Sequence, residues 1–249
     1  MLQHTIKGAD NMIIPVTGVN SLADYKKRKE YLKKNIRPLS CPGCGGENTF
    51  WRHGCYHRKV FSINESIDVV INRFKCRACG IVVSCLFEFL TPYLQFTSSV
   101  VADSIQGYAE KETSYAEQAA ELSDLQSEAP PKPSQTQIFR WVERLARQSA
   151  LLLFQLQKEL VMRNLVELVQ DIRVSGAHNS AKARTETKKL ELRRLSDFLE
   201  MALSFCKNKA SALLEMHAFF LRKVESFQSI FCGRKLQLPT PHSMKCDFF

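Results

Sequence analysis

Hydrophobic positions along this chain follow two rhythms, and the change between them divides it. Leu22, Tyr25, Tyr31 and Leu32 recur at helical spacing through a Lys/Arg-rich stretch, which predicts a solvated helix over 22–37 with those four side chains turned inward. Thr49–Arg52, His57–Ile63 and Ile67–Phe74 are short runs rich in β-branched and aromatic residues, the mark of strands. Ser84–Tyr93 is apolar, ends at Pro92, and is expected to pack back on those strands. Beyond it the period lengthens. Ser98–Glu110, capped by Ser98 or Ser99, carries Val101, Ile105 and Tyr108 on one face. Ser114–Leu122 opens with Ser114 and, three residues on, Glu117, the spacing of a capping box. A third helix follows Pro133-Ser134, with Ile138, Trp141, Val142 and Leu145 on one side and Thr136, Gln137, Arg140, Arg144 and Arg147 on the other.

Farther on, Glu143–Arg173 reads as one long helix with a 3-4 seam of Leu151, Phe154, Val161, Leu165, Leu168 and Ile172, Lys158 being its polar member. The stretch 174–187 has no period and is expected to be a basic linker. Leu192, Leu195, Leu199, Ala202 and Cys206 form the next seam; after a phase shift near Asn208, Leu213, His217, Phe220, Val224, Phe227 and Phe231 form another. Pro239 and Pro241 lie in an extended tail. The predicted fold is mixed and mostly α. Its parts are a basic segment 1–35, a small β unit 36–95, a helical unit 96–148 continued by a helix to 173, a linker 174–187, a hairpin or coiled-coil-like segment 188–232 and a tail 233–249. The seams of 188–232 suit either a second copy or a helical partner, or packing onto the 143–173 helix.

Hydrophobic content of 45% and charged content of 24% are globular values and exclude wholesale disorder. No apolar run approaches the roughly 20 residues of a bilayer-spanning helix, and the N-terminus lacks a signal-like apolar core, so no membrane role and a cytoplasmic location are expected. The formal charge is +10. It is concentrated: residues 22–80 hold 13 basic against 5 acidic side chains, whereas 103–128 hold 7 acidic against one basic. That asymmetry favours a localised surface for an acidic partner such as nucleic acid.

Nine cysteines, an odd number, argue against a secreted disulfide framework. Four fall in two knuckles, Cys41-Pro-Gly-Cys44-Gly45 and Cys76-Arg-Ala-Cys79-Gly80, on either side of the strand region. In each, a glycine follows the second cysteine, where the backbone turns to positive φ and amide N–H groups can reach sulfur. Four thiolates suit one tetrahedral Zn²⁺, which is then structural, since no coordination position stays open for substrate. The pattern is a zinc ribbon, too small to fold by apolar burial alone, so metal binding and folding are expected to be coupled. His53, Cys55 and His57 on the intervening hairpin are either exposed strand side chains or substitute ligands.

Lys26, Lys27, Arg28 and Lys29 before the first knuckle, and Arg52, Arg58 and Lys59 on the hairpin, alternate with Trp51, Tyr56 and Phe61. Basic groups with aromatics suit phosphate contact and base packing, to DNA or RNA alike. The third helix, with Gln137, Arg140, Arg144 and Arg147 outward, has the side chains that read base edges from a major groove. An amphipathic three-helix bundle is the other reading, because the connection 122–134 is long and acidic.

Cys41-Pro-Gly-Cys-Gly, Trp51-Arg-His-Gly-Cys-Tyr-His-Arg, Arg73-Phe-Lys-Cys-Arg-Ala-Cys-Gly, Phe89-Leu-Thr-Pro-Tyr and the Pro-Ser…Arg-Trp-Val helix together resemble a bacterial family with a transposase-type zinc ribbon followed by a helix-turn-helix. The resemblance covers roughly residues 36–147 and implies DNA binding in a mobile-element setting. Transposases add a carboxylate triad held on strands, and no β-run after residue 100 supplies one, so the expectation is a DNA recognition factor that is not an enzyme. A protein-binding adaptor or a transposase lacking its catalytic body are the alternatives.

Overall fold

The computed structural model describes residues 12–110, 114–121, 131–165 and 185–206, together with Leu213 and Met216. The fold is mixed and mostly helical, with the sheet first and the helices after it. Strand β1 (Met12–Val16) and helix α1 (Leu22–Asn35) precede β2 (Phe50–Phe61), β3 (Ser66–Cys76) and β4 (Val82–Phe87). Helices α2 (Ser98–Glu110), α3 (Tyr115–Glu121), α4 (Gln135–Met162) and α5 (Glu186–Phe205) follow. No helix among the described residues is long and apolar enough to cross a membrane.

The sheet has the order β1-β4-β3-β2, so β1 and β2 are its edges. It is larger than a hairpin ribbon. Residues 12–16, which carry no strong alternation, pair in parallel with β4, a contact between segments some 70 residues apart that local sequence does not announce. Ser84–Tyr93 does pack back as expected, but as the strand β4 followed by a turn, with β4 antiparallel to β3. The β2–β3 pairing runs from Phe50↔Cys76 to Phe61↔Ser66. Eleven steps of extended backbone put those two ends about 35 Å apart.

Helix α1 starts where Ser21 accepts a hydrogen bond from the Asp24 amide, and it lies on one face of the sheet. Leu22, Tyr25 and Leu32 are buried there, and the Tyr25 hydroxyl accepts from the Val70 amide. Tyr31 departs from the expected inward set: it is 61% exposed, because three-residue spacing from Leu22 and Tyr25 lands on Arg28 and then on the outer side. The C-terminal carbonyls of α1 find donors across the sheet, Lys33 O receiving Arg52 Nη2 and Asn72 Nδ2. Val19, Leu22, Tyr25, Val60, Val69, Ile71, Phe87 and Leu90 form a core between α1, the sheet and the turn after β4. A second, smaller cluster of Phe50, Phe74, Val83 and Cys85 backs the knuckles. The β unit therefore has apolar burial of its own, at about 1.5–3 kcal/mol per large side chain, and does not depend on metal alone.

At the opposite end of β2, Phe61 packs on Phe96, and Phe96 meets Trp141 edge-on, which joins the sheet to the helical body. Ile138, Trp141, Val142 and Leu145 of α4 are buried as their spacing predicts. Farther along, the expected seam is displaced by two positions. Leu152, Leu156 and Leu160 are buried, whereas Leu151, Phe154, Val161 and Leu165 are exposed. Two polar residues, Ser149 and Glu159, occupy the buried stripe and disguise it. Ser149 is accommodated by donating to Ala146 O and lying against Glu191 O, and Glu159 by pairing with Arg163 at 2.9 Å. Helix α4 also ends at Met162 rather than near Arg173, with Asn164 at a φ of 57° beyond it; Leu168 and Ile172 lie outside the described residues.

On α5, Leu192, Leu195, Leu199, Ala202 and Cys206 are buried in the same core as α4, so this seam packs within the chain. Leu213 and Met216 join that core. His217, Phe220, Val224, Phe227, Phe231 and the tail fall outside the described residues, as does the linker 174–184.

Candidate functional site

The two knuckles meet at one end of the sheet. The first hangs between α1 and β2; the second is the turn from β3 to β4. They are built alike. The Gly45 amide donates to Cys41 O and the Gly80 amide to Cys76 O, while the Cys41 amide donates to Gly46 O and the Cys76 amide to Ile81 O. Gly45 and Gly80 have φ of 72° and 77°, in the region closed to side chains without strain, as their place after each second cysteine predicts. Gly43 serves another purpose: a Cβ there would lie 2.1 Å from Ile81 Cδ1, so its absence lets the first knuckle seat against the second.

All four sulfurs lie within 4.8 Å of one another. Cys41 Sγ is 3.6 Å from Cys79 Sγ, and Cys44 Sγ is 3.7 Å from Cys76 Sγ. Those separations are too long for a disulfide, whose S–S bond is about 2.05 Å. They match the edge of a tetrahedron with metal–sulfur bonds near 2.3 Å, about 3.8 Å. Cys41 and Cys76 are buried and Cys44 and Cys79 exposed. No other group of three or more His, Cys, Asp or Glu side chains that could hold an ion occurs among the described residues, so His53, Cys55 and His57 do not assemble one.

The electrostatics of the thiols point the same way. At Cys76, burial opposes ionisation, but hydrogen bonds from the Thr49 hydroxyl and the Cys79 and Ala78 amides outweigh it and draw the pKa down to about 6. Burial raises Cys41 in spite of amide bonds from Cys44 and Gly43. Burial raises Cys79 as well, and its thiol neighbours push it further. One thiolate forms readily and its neighbours resist, since four negative sulfurs at such distances repel. A bound cation reverses that logic and holds all four deprotonated. The donor set, its spacing and its amide hydrogen bonds fit a single divalent ion.

The predicted nucleic-acid residues are not gathered on one surface. On α1, Lys27 is exposed and Lys29 half-buried. Lys26 pairs with Glu65, and Arg28 donates to Gly18 O at 2.8 Å. Arg52 points towards α1 and caps it. Arg58 is half-buried and donates to Thr91 O at 2.6 Å; burial lowers its pKa, opposed by Tyr56. Lys59 lies over the Phe61 ring at 5.8 Å. At the start of α4, Gln137 completes a capping box with Ser134, its Oε1 accepting from the Ser134 amide at 2.8 Å. Arg140 is exposed and Arg144 half-buried. Arg147 is exposed, 3.8 Å from Glu143. These helical residues belong to the end of the sheet remote from the knuckles. Helix α3 packs on both α2 and α4: Gly107 lets Gln118 approach to where a Cβ would be 2.7 Å from its Nε2, and the Tyr115 ring stacks on Tyr108 and meets Phe139 edge-on.

Sequence reasoning missed one arrangement. The register of β2 slips between Arg52 and Gly54, leaving His53 as an extra, bulged residue. Trp51 is opposite Lys75, Gly54 opposite Arg73 and Tyr56 opposite Ile71. Trp51 and Tyr56 are five residues apart and would face opposite sides of a regular strand; the bulge restores them to one side. That side includes Arg73 and Lys75 towards the knuckles and, farther along, Ile71, Val69 and Val60, which are buried in the core. The Gly54 in the pattern Trp-Arg-His-Gly-Cys was the one available signal, a glycine inside a strand.

A family model described as a domain of unknown function (DUF6431) matches residues 41–123. The match begins at the first knuckle and ends just beyond α3, so β1, α1, α4 and α5 lie outside it. No curated protein and no solved structure matches the chain.

Proposed function

We propose that this chain is a DNA-binding protein without catalytic activity, built on a structural Zn²⁺ centre and serving as a transposase-like or transposon-associated recognition factor. Zinc is the ion that best suits four thiolates in a tetrahedron, and with all four positions filled it has none left for substrate or water. The observation that carries the reading is the sheet face beside that centre, where Trp51 and Tyr56 stand exposed next to Arg73 and Lys75. Lys27 on α1 and Arg140 and Arg147 on α4 add positive charge on other sides, within a chain of net charge +10. The mobile-element setting rests on the resemblance of the knuckles, the hairpin and the Pro-Ser…Arg-Trp-Val helix.

Salt dependence tests this. A DNA binder that neutralises several phosphates loses affinity steeply as salt rises, through release of condensed counterions. Mobility shifts with mixed-sequence DNA at 50 and 200 mM salt should show a fall of about 10³-fold if about six phosphates are contacted. Undetectable binding at the lower concentration would reject the function.

A second reading, a protein-binding adaptor, is favoured by the exposed heptad stripe Leu151, Phe154, Val161 and Leu165 on α4. Binding to a protein partner through that apolar stripe would be nearly insensitive to salt.

A further inference from the structure

The function proposed above leaves open what form of DNA the sheet face takes, and this inference rests on that reading. Its starting point is the bulge at His53. Because the bulge brings Trp51 and Tyr56 to the same side, two aromatic side chains share one face of the sheet. Their partners Lys75 and Ile71 are four positions apart on β3, so the rings are separated by about 13 Å along the strand. Gly54 lies between them opposite Arg73, and with no side chain of its own it leaves a gap over the backbone.

The two rings are built into the face. Trp51 is 41% and Tyr56 39% exposed. The Trp51 indole is braced by His53, ring centroids 5.5 Å apart and nearly perpendicular. The Tyr56 hydroxyl hydrogen-bonds with Ser84 and lies near Arg58 and Arg73. Helix α1 covers the other face of the sheet, where Arg52 and Asn72 reach its last carbonyls. Farther from the knuckles the Trp51–Tyr56 face is closed, since Val69 and Ile71 are fully buried and Arg58 donates to Thr91 O; towards the knuckles Trp51 and Tyr56 stay exposed, with the cationic residues Arg73 and Lys75 half-buried beside them.

A surface of this composition discriminates between forms of DNA. In a duplex, bases present only their edges, and their faces are stacked on one another. In a single strand the faces are free, and stacking on an aromatic side chain is favourable for any base. Positive groups interleaved with the rings supply the backbone contact. We infer that the sheet face bearing Trp51 and Tyr56 is a stacking platform for single-stranded DNA, held in shape by the metal centre where β2 and β3 begin and end.

The test uses the full-length, metal-loaded chain with a labelled DNA strand of mixed sequence, the same strand as duplex, and its RNA counterpart. The chain has two tryptophans. Trp141 is only 4% exposed, so quenching on titration with single strand reports on Trp51. The expected result is preference for the DNA single strand, quenching of Trp51, and a loss of about tenfold in single-strand affinity for Trp51→Ala. Trp51→Phe should retain most of it, which separates stacking from a general loss of fold. The ratio of single-strand to duplex affinity should collapse in the alanine variant.

A chain that binds duplex as well as or better than single strand, or whose Trp51 emission does not change, overturns the platform while leaving DNA binding in place. Tighter binding of the RNA strand overturns the assignment to DNA. Failure to bind any of the three overturns both the platform and the proposed function.

Discussion

Cys41 Sγ and Cys79 Sγ, 38 residues apart in sequence and from different knuckles, lie 3.6 Å from each other. The contact crosses from the α1–β2 connection to the β3–β4 turn, so whatever holds these sulfurs together also fixes the end of the hairpin that begins at Phe50 and ends at Cys76.

That geometry predicts how the chain responds to chelation. The apolar cluster around Tyr25, Val69, Ile71 and Phe87 contains no metal ligand. Removing zinc should therefore expose the amides of residues 41–50 and 75–81 to hydrogen exchange while Val69 and Ile71 stay protected. Exchange measured by mass spectrometry with and without chelator checks this. Uniform loss of protection across the sheet would mean that the whole unit is metal-dependent, as the size of an isolated ribbon first suggests.

Gly80→Ala isolates the backbone term. A Cβ at Gly80 would meet nothing within 4 Å, yet its φ is 77°. The substitution should cost about 1–2 kcal/mol from left-handed strain alone and make zinc easier to remove. Denaturant titration of the zinc-loaded chain measures the cost, and an unchanged midpoint would contradict the knuckle geometry.

Neighbouring positions on α4 should behave oppositely. Leu156 is fully buried against the α5 side of the core, and Phe154 is 60% exposed. Leu156→Ala is expected to destabilise the chain by about 2–5 kcal/mol, and Phe154→Ala to change stability by no more than about 0.5 kcal/mol. Equal losses would restore the seam that sequence spacing favours.

The difference shows what sequence can and cannot reveal here. The knuckles were legible because four cysteines with trailing glycines leave little choice, and the caps at Ser114 and Ser134 because a cap is a local event. The buried stripe of α4 was not, since Ser149 and Glu159 look like surface residues until their partners Ala146, Glu191 and Arg163 are in place. Pairing of β1 with β4 is set by the tertiary fold, and the His53 bulge by the partner strand. The basic residues were visible as types, but whether Arg52 and Arg58 bind a ligand or their own backbone is decided by chain folding.

Thiol chemistry offers a further check. Burial pushes the Cys85 thiol up to about 12, so near pH 8 it is protonated as well as inaccessible. Cys55 is exposed on β2. With metal bound, alkylation followed by peptide mapping should modify Cys55 well before Cys85. Because the folded-state value is raised, the stability that Cys85 contributes as a neutral group is intact below its ordinary value of 9.0 and declines as pH rises towards 12. Early modification of Cys85 in the folded chain would place β4 elsewhere.

The most direct measurement is metal content per chain, paired with the spectrum of the cobalt-substituted protein. One zinc per purified chain, lost in Cys79→Ser, and the absorption of tetrahedral cobalt thiolate after exchange are the results predicted. A chain that carries no zinc and takes up none, with all four knuckle thiols free to react, would contradict the account at its base.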